Sequence, residues 1–246
     1  MISPVFIALD NPNDKVAFIA MNTEKQGQKI FQLALQLYMN YLPLFPLELV
    51  VFEGEKVRLH IFEPRYRQLI HECMEENTTF GMPIVFNGKL EGTGTELGHV
   101  RLVNTWPGGE MDIECDAISR FELLDFHPVA HGKLYGGGFV RDISFTDNED
   151  KELKLRIGDL LKELYSHTQF DGGHFPDPGA DFAVWVHKCG LLPEQEIELA
   201  ALTGMSDRQL YIIHHLKNLL SSLSALSQMK EKIQLNGHFK KMSNPL

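Results

Sequence analysis

Residues 42–66 read LPLFPLELVVFEGEKVRLHIFEPRY, and the patterns inside this stretch decide the fold class. Val57, Leu59 and Ile61 alternate with Arg58 and His60. A period of two marks a half-buried strand with one wet face. Gly54 supplies a turn ahead of it. Pro64 then has the fixed φ suited to a first helical position, and Glu63 suits the positive helix end. Tyr66, Leu69, Ile70, Cys73 and Met74 follow at helical spacing and give one apolar face. Gly81 and Pro83 forbid continuation.

Downstream, the same strand signal recurs. Met111, Ile113, Cys115 and Ala117 alternate with Asp112, Glu114 and Asp116, after a Trp106-Pro107-Gly108-Gly109 turn. Further strands are expected at 83–86, 99–104, 121–126 and 139–145. The Gly136–Gly138 run reads as a bulge or local break. Short strands with turn signals predict a compact, partly closed β-barrel over residues 42–145.

Residues 146–235 read as helical. Leu153, Ile157, Leu160, Leu161 and Leu164 form a stripe on a helix from Glu149 to His167. A Gly/Pro/Asp-rich loop spans 169–179, and a short helix is expected over 180–189. Pro193 opens another helix to Leu202. Ser206 with Gln209 is a capping-box pattern that predicts a long helix from Asp207 to about Gln234. Residues 236–246 read as a frayed tail. The expected class is α+β: a β pseudo-barrel with one inserted helix, then an all-α bundle ending in a long C-terminal helix.

Residues 1–41 form a leader. Ile30, Phe31, Leu33, Ala34, Leu35 and Leu37 are dense enough for a short buried helix. Either Met39 is the natural start, or this helix docks on the barrel or blocks its groove.

Bulk properties narrow the function. The chain has 246 residues, 43% hydrophobic, enough for one large domain or two small ones. Its net charge is 23 − 33 = −10. That balance argues against nucleic acid or an anionic membrane as the main partner. Cys73, Cys115 and Cys189 lie far apart with no CxxC spacing, so each reads as a small buried hydrophobe in a reducing, cytoplasmic setting. No apolar run reaches a membrane span, and the N-terminus lacks a basic signal-peptide region.

The residues Pro43, Leu44, Phe45, Pro46, Gly54, Ile61, Phe62, Glu63, Pro64, Arg65 and Tyr66 together resemble the signature of the Lon protease N-terminal domain. Gly98-His99-Val100 and Ser119-Arg120-Phe121-Glu122-Leu123 sit where that family has a Gly-led strand and a Gly-x-x-Arg-Phe element. Ser119 departs from the small residue or Gly favoured there. In the helical half, Asp181-Phe182-Ala183 before Leu191-Leu192-Pro193 also agrees. The resemblance covers residues 42–230. It implies a PUA-like β pseudo-barrel followed by a helical bundle, here as a stand-alone, non-catalytic protein-binding module. Its implied partners are unfolded or tagged protein segments and an ATP-dependent protease, with no cofactor and no metal.

Catalytic motifs are missing from the sequence. GxxxxGK[ST], whose backbone N–H groups cradle phosphates, does not occur, and neither does GxSxG. His71-Glu72-Cys73-Met74-Glu75 begins like HExxH, but Glu75 replaces the second metal-binding His. Two alternatives stay open. One is a metal-dependent enzyme using Asp171, His174, Asp177 and Asp181. The other is an RNA-binding PUA-like protein, discounted because residues 42–145 carry nine Lys/Arg against 16 Asp/Glu. For protein binding, the expected place is the groove between the barrel and the helical half. Its candidate lining is Phe45, Leu47, Phe62, Tyr66, Trp106 and Phe121, each weighed against plain core packing. Trp106 stands out because a Pro-Gly-Gly turn buries a large aromatic poorly. Pro43, Pro46, Gly54, Glu63, Pro64, Arg65 and Arg120 are the motif residues with structural roles.

Overall fold

The computed structural model describes residues 40–168 and 180–242. The leader, with Met39, and loop residues Asp171, His174 and Asp177 lie outside these described residues. The elements are β1 (Asn40–Leu44), β2 (Lys56–Ile61), α1 (Pro64–Glu76), β3 (Phe80–Phe86), β4 (Lys89–Thr105), β5 (Met111–Leu123) and β6 (Gly136–Ile143). Then come α2 (Lys151–Thr168), α3 (Phe182–Trp185), a 3-10 turn (Val186–Lys188), α4 (Pro193–Ala201) and α5 (Met205–Met242).

The strands follow the order β2-β5-β4-β3-β1-β6, and β6 pairs back onto β5. Five strands therefore close a ring, and β2 is added outside it on the first half of β5. The expected strands at 111–117 and 121–126 are one strand, β5, because Ser119 and Arg120 continue its ladder with β4. Strand β4 is far longer than its sequence signal. It bends through register shifts at Glu96/Leu97, Gly98/Arg101 and Leu102/Asn104, which break its alternation.

The glycine run is no break. Gly136, Gly137 and Gly138 pair in regular register with Leu44, Pro43 and Leu42 of β1. They are glycines because of close approach: a Cβ on Gly138 would strike the Asp125 carbonyl and Leu44, and one on Gly137 the Tyr41 ring.

Helix α1 begins at Pro64 as its sequence predicts and buries Tyr66, Leu69, Ile70 and Cys73 in the barrel. Glu63 occupies the N-cap position without a side-chain cap bond; its carboxylate takes Arg65 instead, Nη2 to Oε2 at 2.8 Å. Asn77, at φ +51°, adopts the left-handed conformation that ends the helix. The barrel core includes Phe45, Val51, Val57, Ile61, Phe80, Met82, Leu97, Ile113 and Cys115. All three cysteines are free and buried.

In the helical half, Ile157, Leu160, Leu161 and Leu164 of α2 meet Ile212, Ile213 and Leu216 of α5. Helix α5 starts at Met205, not Asp207. Ser206 and Gln209 do not form the expected cap; they hold the lead into α2. Ser206 Oγ accepts from Asn148, and the Gln209 amide bonds both N–H and C=O of Asp150. The helix runs on to Met242, through the residues expected to fray. Among the described residues, no helix is long and apolar enough to cross a membrane.

Candidate functional site

The six sequence-named residues do not line one groove. Phe45 and Tyr66 stack inside the barrel with ring centroids 3.9 Å apart. Phe121 is buried with Leu44 and Val140 at another pole, and Leu47 is half-buried against the barrel core. These four side chains pack in or against the core. Only Phe62 and Trp106 are strongly exposed, at 58% and 46%.

The expected groove between the halves is closed by apolar packing and charge. Val50, Phe52 and Ile84 from the barrel side share one core with Trp185, Val186, Leu199 and Leu216. Arg208, buried on α5, pairs with Glu53 at 2.8 Å and donates to the Leu202 carbonyl. His187 bridges Glu196 and Glu55 at 2.7 and 3.0 Å, and these hydrogen bonds, Glu196 first, raise its pKa to about 10. Arg120 donates to the Ala200 carbonyl at the end of α4, and burial pushes its pKa down to about 10. Arg120 and Arg208 thus satisfy carbonyls that the C-terminus of α4 leaves orphaned.

Open surface lies instead on an arm of β2, β5 and the far end of β4. Strand β2 pairs with β5 alone, in six consecutive registers from Lys56↔Asp116 to Ile61↔Met111 without a bulge. Among the described residues no other strand covers its second edge. In an antiparallel ladder, alternate residues turn their backbone groups toward and away from the partner. Ala117 N–H donates to Glu55 O, which fixes the phase. Lys56, Arg58 and His60 therefore turn N–H and C=O outward. Beyond Leu97, β4 also loses its β3 partner, and Arg101–Thr105 is exposed throughout.

An aromatic strip crosses the outer face of this arm. Phe62 stacks on His60, centroids 6.1 Å apart. His60 Nδ1 lies 2.7 Å from Asp112 Oδ1, and Trp106 Nε1 donates to Asp112 Oδ2 at 3.2 Å. The His60 bond above all, then the Trp106 bond, holds the Asp112 carboxyl below its usual range. Arg67 of α1 fastens the tip by donating to the Gly108 carbonyl at 2.7 Å. His60 and Asp112 escaped the sequence reading because each reads there as one member of a wet strand face. Their pairing needs the β2–β5 register.

Beside these, a cleft of about 530 Å³ is lined by Tyr41, Pro43, Glu72, Glu76, His131 and Tyr135. Its central carboxylate, Glu72, already accepts from Gln68, Lys133 and Tyr135. Among the described residues, no group of three His, Cys, Asp or Glu is placed to hold a metal.

The fold is shared with many solved structures, two Lon N-terminal domains among them. A Lon N-terminal domain protein from Xanthomonas campestris matches with TM-score 0.52 at 20% identity, covering 74% of this chain and 98% of that one. The N-terminal domain of the Mycobacterium avium complex Lon protease matches with TM-score 0.53 at 13% identity, covering 72% and 98%. The family described as the ATP-dependent protease La (LON) substrate-binding domain matches residues 41–245. That match spans the closed barrel, the arm and the helical half together, and the chain belongs to the LON substrate-binding domain family.

Proposed function

We propose that this protein is a non-catalytic module that captures extended polypeptide segments on its β2 arm and delivers them to a separate ATP-dependent protease. The observation that carries this reading is the regular edge of β2, unpaired among the described residues and ending in the exposed Phe62–His60–Trp106 strip. An unpaired edge accepts a strand through main-chain hydrogen bonds, which tolerate many sequences. Exposed aromatics add apolar contact without demanding one side chain. Both properties suit a receptor for unfolded protein. The family's description as a substrate-binding domain supports it. RNA binding is disfavoured, because Asp112, Glu114 and Asp116 run between the arm's basic rows and would face phosphate.

The test is binding of a permanently unfolded, carboxymethylated model protein to the full chain without ATP. Wild type should bind, and Phe62→Ser with Trp106→Ser should weaken binding at least tenfold. Both side chains are about half exposed, so stability should move by about 0.5 kcal/mol or less. Unchanged affinity in the double variant would remove the arm from the mechanism.

A further inference from the structure

Building on that reading, we propose that the β2 edge selects extended segments carrying Asp or Glu at every second position. The outward side chains of β2 are Lys56, Arg58 and His60, a basic row along the free edge. Behind them on β5 stand Asp112, Glu114 and Asp116, and behind those on β4 stand His99 and Arg101. The acids are engaged from both sides. Arg58 Nε lies 3.1 Å from Glu114, Arg101 Nη2 lies 3.0 Å from Glu114 and 2.9 Å from Asp116, and His99 lies 3.3 Å from Asp116. The outer face of the arm is thus striped basic, acidic, basic; among the described residues neither basic stripe has a further strand beside it, and the one on β2 follows an unbroken register. Arg58 remains 80% exposed despite its bond to Glu114.

A strand added to this edge would lie about 4.8 Å from β2, with its outward side chains directly opposite Lys56, Arg58 and His60. Carboxylates there would continue the stripe; lysines would meet like charge. Self-association through this edge is opposed for the same reason, since antiparallel pairing of two copies sets one basic row against the other. The alternate positions of the added strand would turn to the inner side, next to half-buried Leu59, and favour apolar residues. The chosen edge is β2 rather than β4 because the β4 edge is broken by register shifts at Gly98/Arg101 and Leu102/Asn104.

The protein's overall charge makes the test sharp. A net charge of −10 would by itself draw cationic peptides, so local and global electrostatics predict opposite orders. Three labelled peptides of equal length alternate Val with Glu, Gln or Lys, and fluorescence anisotropy measures their binding to the full chain at low and high salt. The expected order is Glu, Gln, Lys, with about tenfold between the extremes at low salt. The spread should shrink as salt rises. Lys56→Glu with Arg58→Glu should reverse the order. Amide exchange at Lys56, Arg58 and His60 should slow in the Glu-peptide complex. Equal affinities for the three peptides would overturn the charge selection while leaving strand capture standing. A Lys-first order, or an order unmoved by the double substitution, would also overturn it. Failure of all three to bind or to protect those amides would overturn both readings.

Discussion

Arg208 is the test of how the two halves hold together. Its side chain is 1% exposed, and its guanidinium meets both oxygens of Glu53, at 2.8 and 3.4 Å. Nε donates to the Leu202 carbonyl at 3.0 Å. The rings of Phe145, Phe52 and Phe182 surround the charge at 4.4, 5.4 and 5.8 Å. Arg208→Met keeps apolar contact with these rings but strands a Glu53 carboxylate that is only 16% exposed. Removing one member of a buried pair costs about 3–5 kcal/mol, a large share of the roughly 5–15 kcal/mol that holds a domain together. The single variant should therefore lose about 4 kcal/mol. Glu53→Gln added to Arg208→Met removes the stranded charge, and the double variant should lose only about 1–2 kcal/mol. Urea unfolding reads this directly, followed by far-UV circular dichroism and by the fluorescence of buried Trp185 in the helical half. A loss below about 1 kcal/mol in Arg208→Met would refute the reasoning. So would a double variant as unstable as the single one, because the penalty would then not come from the unpaired carboxylate.

The His187 clamp predicts a pH dependence. Its pKa rises from an ordinary 6.5 to about 10 in the folded protein, so its stabilisation is whole below 6.5 and is lost as pH rises through about 10. With the side chain 38% exposed, screening reduces the contribution to about 1–2 kcal/mol. The difference in urea midpoint between wild type and His187→Gln should shrink steadily from pH 7 to pH 10.5; a constant difference would contradict the assignment. In the barrel, Gly138→Ala should cost about 3 kcal/mol or more, because the new methyl meets the Asp125 carbonyl and Leu44. Near-UV circular dichroism and soluble yield would show it, and a fully stable Gly138→Ala protein would mean that β1 and β6 can separate freely.

The sequence alone determined several of the local elements and pointed to the family. Alternation at Val57–Ile61 and Met111–Ala117, and the Pro64 helix start, depend on side-chain periodicity and backbone preference, which are local properties. The sequence could not show which apolar residues stay exposed. Phe45 and Phe62 look equivalent in the string, yet one closes the barrel core and the other stands on the arm. Nor could it show that β2 lies outside the ring, because being an edge is a relation among strands far apart in the chain. The buried arginines are the same case: Arg120 reaches Ala200 across 80 residues, and Arg208 reaches Glu53 across 155. Burial, edge status and charge pairing are set by which distant segments share space, and only the tertiary structure fixes that.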